Sequence, residues 1–159
     1  DACIYPDQIF NCSALQFARE FDLQQLEDLG DLKYIWATVP KSWEKYAVHI
    51  IEPVLKMIPN RGNLLTVTKM PCHYDKINGV AVTWSSGVTA QFQTTGDLPG
   101  PLSIRVLGTN GFRELVFEDT FNAFRKALET FVKVVRKEQM NISRAYTLEM
   151  VKILEHGKA

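Results

Sequence analysis

This sequence has no apolar run approaching the roughly 18 to 20 residues that a membrane-spanning helix requires. It also lacks an excess of charge. Its 18 basic residues balance 18 acidic ones, so no net field draws nucleic acid or an anionic membrane surface. Basic residues do gather in "FRKALETFVKVVRKEQ", but with the spacing of the wet face of a helix. Neither G-x-G-x-x-G nor G-x-x-x-x-G-K-[ST] occurs, which excludes both phosphate-cradling glycine loops. The serine-hydrolase signature G-x-S-x-G is missing as well. Cysteine is scarce. Cys3, Cys12 and Cys72 cannot all pair with one another, which favours a reducing compartment; with no signal peptide visible, the expected location is the cytoplasm. "NCS" and "NIS" match the glycosylation pattern, but three residues recur by chance and no secretory signal supports them. "PCHYD" brings Cys72, His73 and Asp75 together; neighbours on a strand face opposite ways and no second cluster answers them, so no metal site is expected. The initiator methionine is missing too, as in a fragment or a processed product.

What is present is a globular composition: 159 residues, 46% hydrophobic and 11% aromatic, enough for one domain over residues 1–159 with a substantial core. "PDQIFNCSALQFAREF" reads as a short extended run turning into a helix, capped by Ser13 with Gln16 three residues on. Asp22 and Gln25 repeat that pattern before a short helix ending at Gly30. "LKYIWATV" is a strand that Pro40 stops. From residue 63 the apolar period changes to two: "NLLTVTKM", "NGVAVTWS", "VTAQFQTT", "LSIRVL" and "FRELVF" read as five more strands, with "SSG" and "TNG" as hairpin turns. Val80, Val82 and Trp84 share one face, as do Val88, Ala90 and Phe92. Thr89, Gln91, Gln93 and Thr95 lie opposite, on a polar, nearly uncharged face that suits solvent or a second sheet in a symmetric dimer. Two helices close the chain. The first carries a stripe of Phe121, Phe124, Leu128, Phe131, Val132 and Val135; the second starts at Ser143 and ends at Gly157. The expected fold is α+β, an open, largely antiparallel sheet of about six strands with helices on one face.

Between the first two strands, "SWEKYAVHIIEPVLKMIP" (42–59) reads as an amphipathic helix with Ala47, Ile50, Ile51, Val54 and Ile58 as its buried stripe and a kink at Pro53. His49 falls nearly opposite that stripe, with Lys45, Glu52 and Lys56 beside it and Tyr46 one turn earlier. A histidine titrates near neutrality and can exchange a proton with a hydroxyl or carbonyl oxygen, which a tyrosine one turn away can also hydrogen-bond. Trp43 could wall such a pocket. Y-x-x-H is a loose pattern, and on the residues alone an exposed histidine on a wet helix face is the plainer reading.

Four stretches, in order, resemble the C-terminal domain of the Gfo/Idh/MocA oxidoreductases, the glucose–fructose oxidoreductase and inositol dehydrogenase family. "IFNCSALQFARE" resembles the segment that follows that family's Rossmann domain. "WEKYAVHIIEPVLKMIPNRG" resembles its G-x-H-x-x-D helix, "LSIRVLGTNGFREL" its late hairpin, and "FNAFRKALETFVKVVRKEQMNISRAYTLEMVKILEHG" its closing helix pair. The resemblance implies that His49 is the catalytic histidine, proton donor or acceptor for a substrate hydroxyl. It puts Tyr46, Lys45 and Glu52 at the substrate, beside the Trp43 wall, although Lys45 stands where many members have Asp and Glu52 where they often have Asp. The family's lysine in E-K-P belongs to the Rossmann domain and has no match here.

The expected function is therefore the substrate-binding and oligomerisation domain of an oxidoreductase that uses NAD or NADP on a secondary alcohol or carbonyl of a sugar-like substrate. No cofactor is expected on this chain alone, which would be inactive without the missing Rossmann domain. A homo-oligomer through the polar sheet face is expected, with no nucleic acid or membrane partner. Two other readings stay open: a non-catalytic dimerising module, and a small-molecule binder using the space between helix and sheet.

Overall fold

Strand-forming alternation governs the middle of the chain, and the computed structural model, which describes residues 23–158, turns it into one six-stranded sheet. The strands are β1 (Leu32–Val39), β2 (Leu64–Lys69), β3 (Asn78–Trp84), β4 (Thr89–Thr94), β5 (Ser103–Gly108) and β6 (Gly111–Val116), in the order β2-β3-β4-β1-β5-β6. All six expected strands form. β1 runs parallel to β4, with Tyr34 beside Thr89 and Trp36 beside Gln91; the other neighbours are antiparallel. The two tight turns sit where expected: Gly87 has φ +85° after Ser85 and Ser86, and β5 meets β6 across Gly108 and Gly111. A 3-10 helix, Leu23–Leu29, precedes β1 and ends at Gly30, whose φ of +69° suits a residue without Cβ. The reading of "PDQIFNCSALQFAREF", its Ser13 cap, and the resemblance carried by "IFNCSALQFARE" lie outside the described residues.

One face of the sheet is buried and almost wholly apolar, with Thr94 as its buried polar residue on β4. Ile35, Ala37, Val80, Val82, Trp84, Ala90, Phe92, Ile104 and Val106 all have no exposed surface. Among the described residues four α-helices accompany the sheet: α1 (Trp43–Tyr46), α2 (Val48–Met57), α3 (Thr120–Val135) and α4 (Arg144–Gly157). The first two and the last cover the apolar face, α2 over β1 and β5, α4 over β2 and β3. Ser143 caps α4, its hydroxyl accepting from Tyr146 N at 3.2 Å, and Asp119 caps α3 through Asn122 N at 2.8 Å.

Three expectations need correction. The interruption in 42–59 falls at Ala47, not Pro53: the Ala47 carbonyl takes the amides of both Ile50 and Ile51, and α2 then runs through Pro53 to Met57. Nor is this helix buried on one side alone. Val48, Ile50, Ile51, Glu52, Pro53, Val54, Leu55 and Met57 are all buried, because α4 lies over the side that a helical projection assigns to water. The open sheet face is polar on β2, β3 and β4 but not throughout. Across β1, β5 and β6 it carries exposed Trp36, Leu107 and Phe112 and the ion pair Arg105–Glu114 at 2.9 Å. On α3 the apolar stripe forms as read, yet Phe121, Phe124, Leu128, Val132 and Val135 remain exposed while Ala123 and Ala127 are buried.

Candidate functional site

The residues singled out on 42–59 separate into a surface group and an interior group. Tyr46 and His49 come together: their rings lie 5.9 Å apart at 53°, one helical turn from each other across the Ala47 junction. His49 is half-buried, and that burial holds its imidazole below the ordinary value of 6.5. Near neutral pH it is therefore an uncharged ring, with one nitrogen able to accept a proton and the other to donate. Lys45 is exposed one turn before it.

Trp43 and Glu52 lie inside. Trp43 is 2% exposed, donates Nε1 to the Leu154 carbonyl at 2.8 Å, and packs so closely on Gly157 that a Cβ there would sit 2.1 Å from the indole. Glu52 is fully buried, and its backbone carbonyl accepts the Tyr146 hydroxyl. Tyr146 is itself strongly desolvated, with its phenol pushed far above its ordinary value by burial and then by the charge of Glu52. Both positions tie the segment 42–59 to α4, through Leu154 and Tyr146.

The sequence reading missed the residues that fix the helix. Arg61, just past α2, donates to the Leu55 and Ile58 carbonyls at 2.9 and 3.2 Å, capping the helix, and binds Glu149 through both oxygens at 2.9 and 2.7 Å. Glu149 also accepts Trp84 Nε1 at 2.6 Å. Burial alone would raise the Glu149 carboxyl, but the hydrogen bonds from Arg61 and Trp84 outweigh it and hold the group below its ordinary range. Arg61 and Glu149 stand 88 residues apart, so no local pattern announces them.

Lys41 was also missed. It is a non-glycine residue at φ +74°, fixed by a reciprocal backbone pair with Gly96 (Lys41 N to Gly96 O 2.7 Å, Gly96 N to Lys41 O 3.2 Å). Its ammonium donates to the Tyr46 hydroxyl at 3.2 Å and lies 4.9 Å from the ring centre. Lys41 also borders an open cavity of about 430 Å³ whose wall includes Ser42, Trp43, Glu44, Lys76 and Asp97. Among the described residues no group of three or more His, Cys, Asp or Glu could hold a metal ion, and no helix is long and apolar enough to cross a membrane.

This architecture is found in solved structures. GenD2 from gentamicin A biosynthesis, determined in complex with NAD, superposes with a TM-score of 0.67 at 14% identity over 96% of this chain and 57% of its own. The myo-inositol 2-dehydrogenase of Lactobacillus plantarum gives 0.64 at 14% identity, over 87% and 59%. The scyllo-inositol dehydrogenase of Lactobacillus casei, with bound NAD(H) and scyllo-inositol, gives 0.63 at 13%, over 88% and 59%. The structural neighbours are Gfo/Idh/MocA-type oxidoreductases. This chain has the fold of part of those enzymes and spans less than two thirds of their length. No protein-family profile and no curated protein matches the sequence.

Proposed function

We propose that this chain is the substrate-side domain of an NAD(P)-dependent oxidoreductase acting on a secondary alcohol or carbonyl of a sugar-like molecule. The observation that carries the reading is His49, held half-buried and below its ordinary pKa one turn from Tyr46, on a fold shared with NAD-dependent sugar and cyclitol enzymes. An uncharged imidazole in that position accepts the proton of a substrate hydroxyl in oxidation and returns it in reduction. Tyr46 orients the same oxygen, Lys45 stands at the rim, and Trp43 and Glu52 act from behind by fixing the helix.

The reading places the nucleotide site outside this chain, whose sequence carries no dinucleotide-cradling glycine loop. The cofactor, NAD or NADP, would supply the hydride chemistry from the part of the enzyme outside this chain, in the cytoplasm. The open sheet face, with Trp36, Leu107 and Phe112 beside the Thr and Gln rows, is the surface through which two copies would associate.

The test is nicotinamide nucleotide binding by calorimetry, on this chain and on the longest product of its gene, with His49→Asn made in the latter. Binding by the longer product alone, with turnover lost in His49→Asn, supports the reading. If no longer product exists and nothing binds, the enzyme reading falls and a dimerising module takes its place.

A further inference from the structure

We infer that α3 is an interfacial helix, whose open apolar stripe and neighbouring cations dock this domain on an anionic bilayer surface. The balanced charge of the whole chain speaks against a membrane, but a surface meets α3 locally. Between Thr120 and Lys137 stand Arg125, Lys126, Lys133, Arg136 and Lys137 against a single acid, Glu129. Glu118 and Asp119 precede the first turn and Glu138 follows the last, so the positive excess lies along the body. Arg125 leans on Glu129 at 3.9 Å, whereas Lys133, Arg136 and Lys137 form no ion pair among the described residues.

The apolar side is as open as the charged one. Phe121 is 78% exposed and Phe124 and Leu128 49% each, with Val132 and Val135 uncovered beyond them. At about 1.5 Å per residue the stripe runs about 21 Å without a glycine or proline to interrupt it. Phe and Leu on one side with Lys and Arg on the other make a helix that lies in the plane of a bilayer surface, its cations drawn to acidic headgroups. Other occupants fit this surface worse. Two copies meeting stripe to stripe would bring their cations together. A groove that encloses a helix is blocked, since the side bearing Ala123 and Ala127 is already buried. A flat surface needs only the open side.

The experiment sediments the native chain with vesicles of phosphatidylcholine, or of equal parts phosphatidylcholine and phosphatidylglycerol. Binding to the mixed vesicles is expected to be at least about tenfold tighter, and to weaken as salt screens the headgroups. Phe121→Gln with Phe124→Gln removes the first turn of the stripe and no charge. That variant is expected to keep the native helix content and melting point and to lose binding at least about tenfold. Lys133→Gln with Arg136→Gln is expected to fold as the native chain does and to lose the preference for phosphatidylglycerol. No binding to the mixed vesicles, equal binding to both kinds, or unchanged binding in either double variant overturns the inference. So does a native dimer that Phe121→Gln with Phe124→Gln dissolves, or a longer gene product that does not bind; the stripe then belongs to a second copy or to the rest of the enzyme. The oxidoreductase reading rests on His49 and stands or falls apart from these results.

Discussion

Arg61→Met tests the idea that the site helix is held in place by a buried ion pair rather than by its own propensity. Arg61 and Glu149 have side-chain exposures of 10% and 19%, so the pair is largely shielded from water. Removing Arg61 strands the Glu149 carboxylate with Trp84 as its remaining donor and uncaps the Leu55 and Ile58 carbonyls. Breaking one side of a buried pair costs about 3–5 kcal/mol, and the residual exposure of Glu149 places the loss at the lower end, about 3 kcal/mol. With a urea m-value of about 2 kcal/mol per molar, the unfolding midpoint followed by tryptophan fluorescence should fall by about 1.5 M. Adding Glu149→Leu should return part of that loss, since the stranded charge goes with its partner. The acid limb carries the same signature. A depressed carboxyl stabilises the fold above its unfolded pKa and loses that contribution as pH falls through the folded value. In Arg61→Met burial acts on the Glu149 carboxyl without the Arg61 hydrogen bonds and lets it rise. The stability gap between variant and native chain should therefore narrow as pH falls through the native folded value. A loss below about 1 kcal/mol, the range of an exposed pair, would refute the reasoning.

Two further outcomes follow from the same helix. Gly157→Ala drives a methyl into the Trp43 indole, so calorimetry should show a loss of about 1–3 kcal/mol, with the near-UV signal of tryptophan altered; native-like melting would mean that this contact is slack. The His49 imidazole should titrate below 6.5 by NMR. Because burial disfavours the charged ring, its contribution to stability is full above pH 6.5 and is lost as pH falls towards the folded value; a midpoint at or above 6.5 removes the argument for an uncharged imidazole.

The strands were legible because a period of two runs through β1 and β4 and most of β3, and the Asn110–Gly111 and Ser86–Gly87 turns announce which neighbours pair. The place of β1 was not legible. It has no hairpin partner, and only the folded sheet inserts it between β4 and β5. That Tyr46 and His49 meet was legible from their spacing of one turn, a local property. Glu52 was misplaced for the converse reason: a helical projection records which side of α2 meets the sheet, but not that α4, nearly a hundred residues later, covers the other side. The same distance hides Arg61 and Glu149. Lys41 was invisible because a positive φ at a lysine leaves no mark in composition or periodicity; it depends on the backbone pair with Gly96, more than fifty residues downstream.

The last helix grips the site helix at three levels, through Leu154 to Trp43, Tyr146 to Glu52, and Glu149 to Arg61. On a ribosome these contacts form in the reverse order of need. The His49 segment leaves the exit tunnel long before residues 146–157 exist, and until then its buried flank, with Glu52 and the ends of α2, has nothing to rest on. Nascent chains halted before residue 146 should therefore expose that flank to chaperones and proteases, and the site should acquire its shape only when the final turn of α4 has been made.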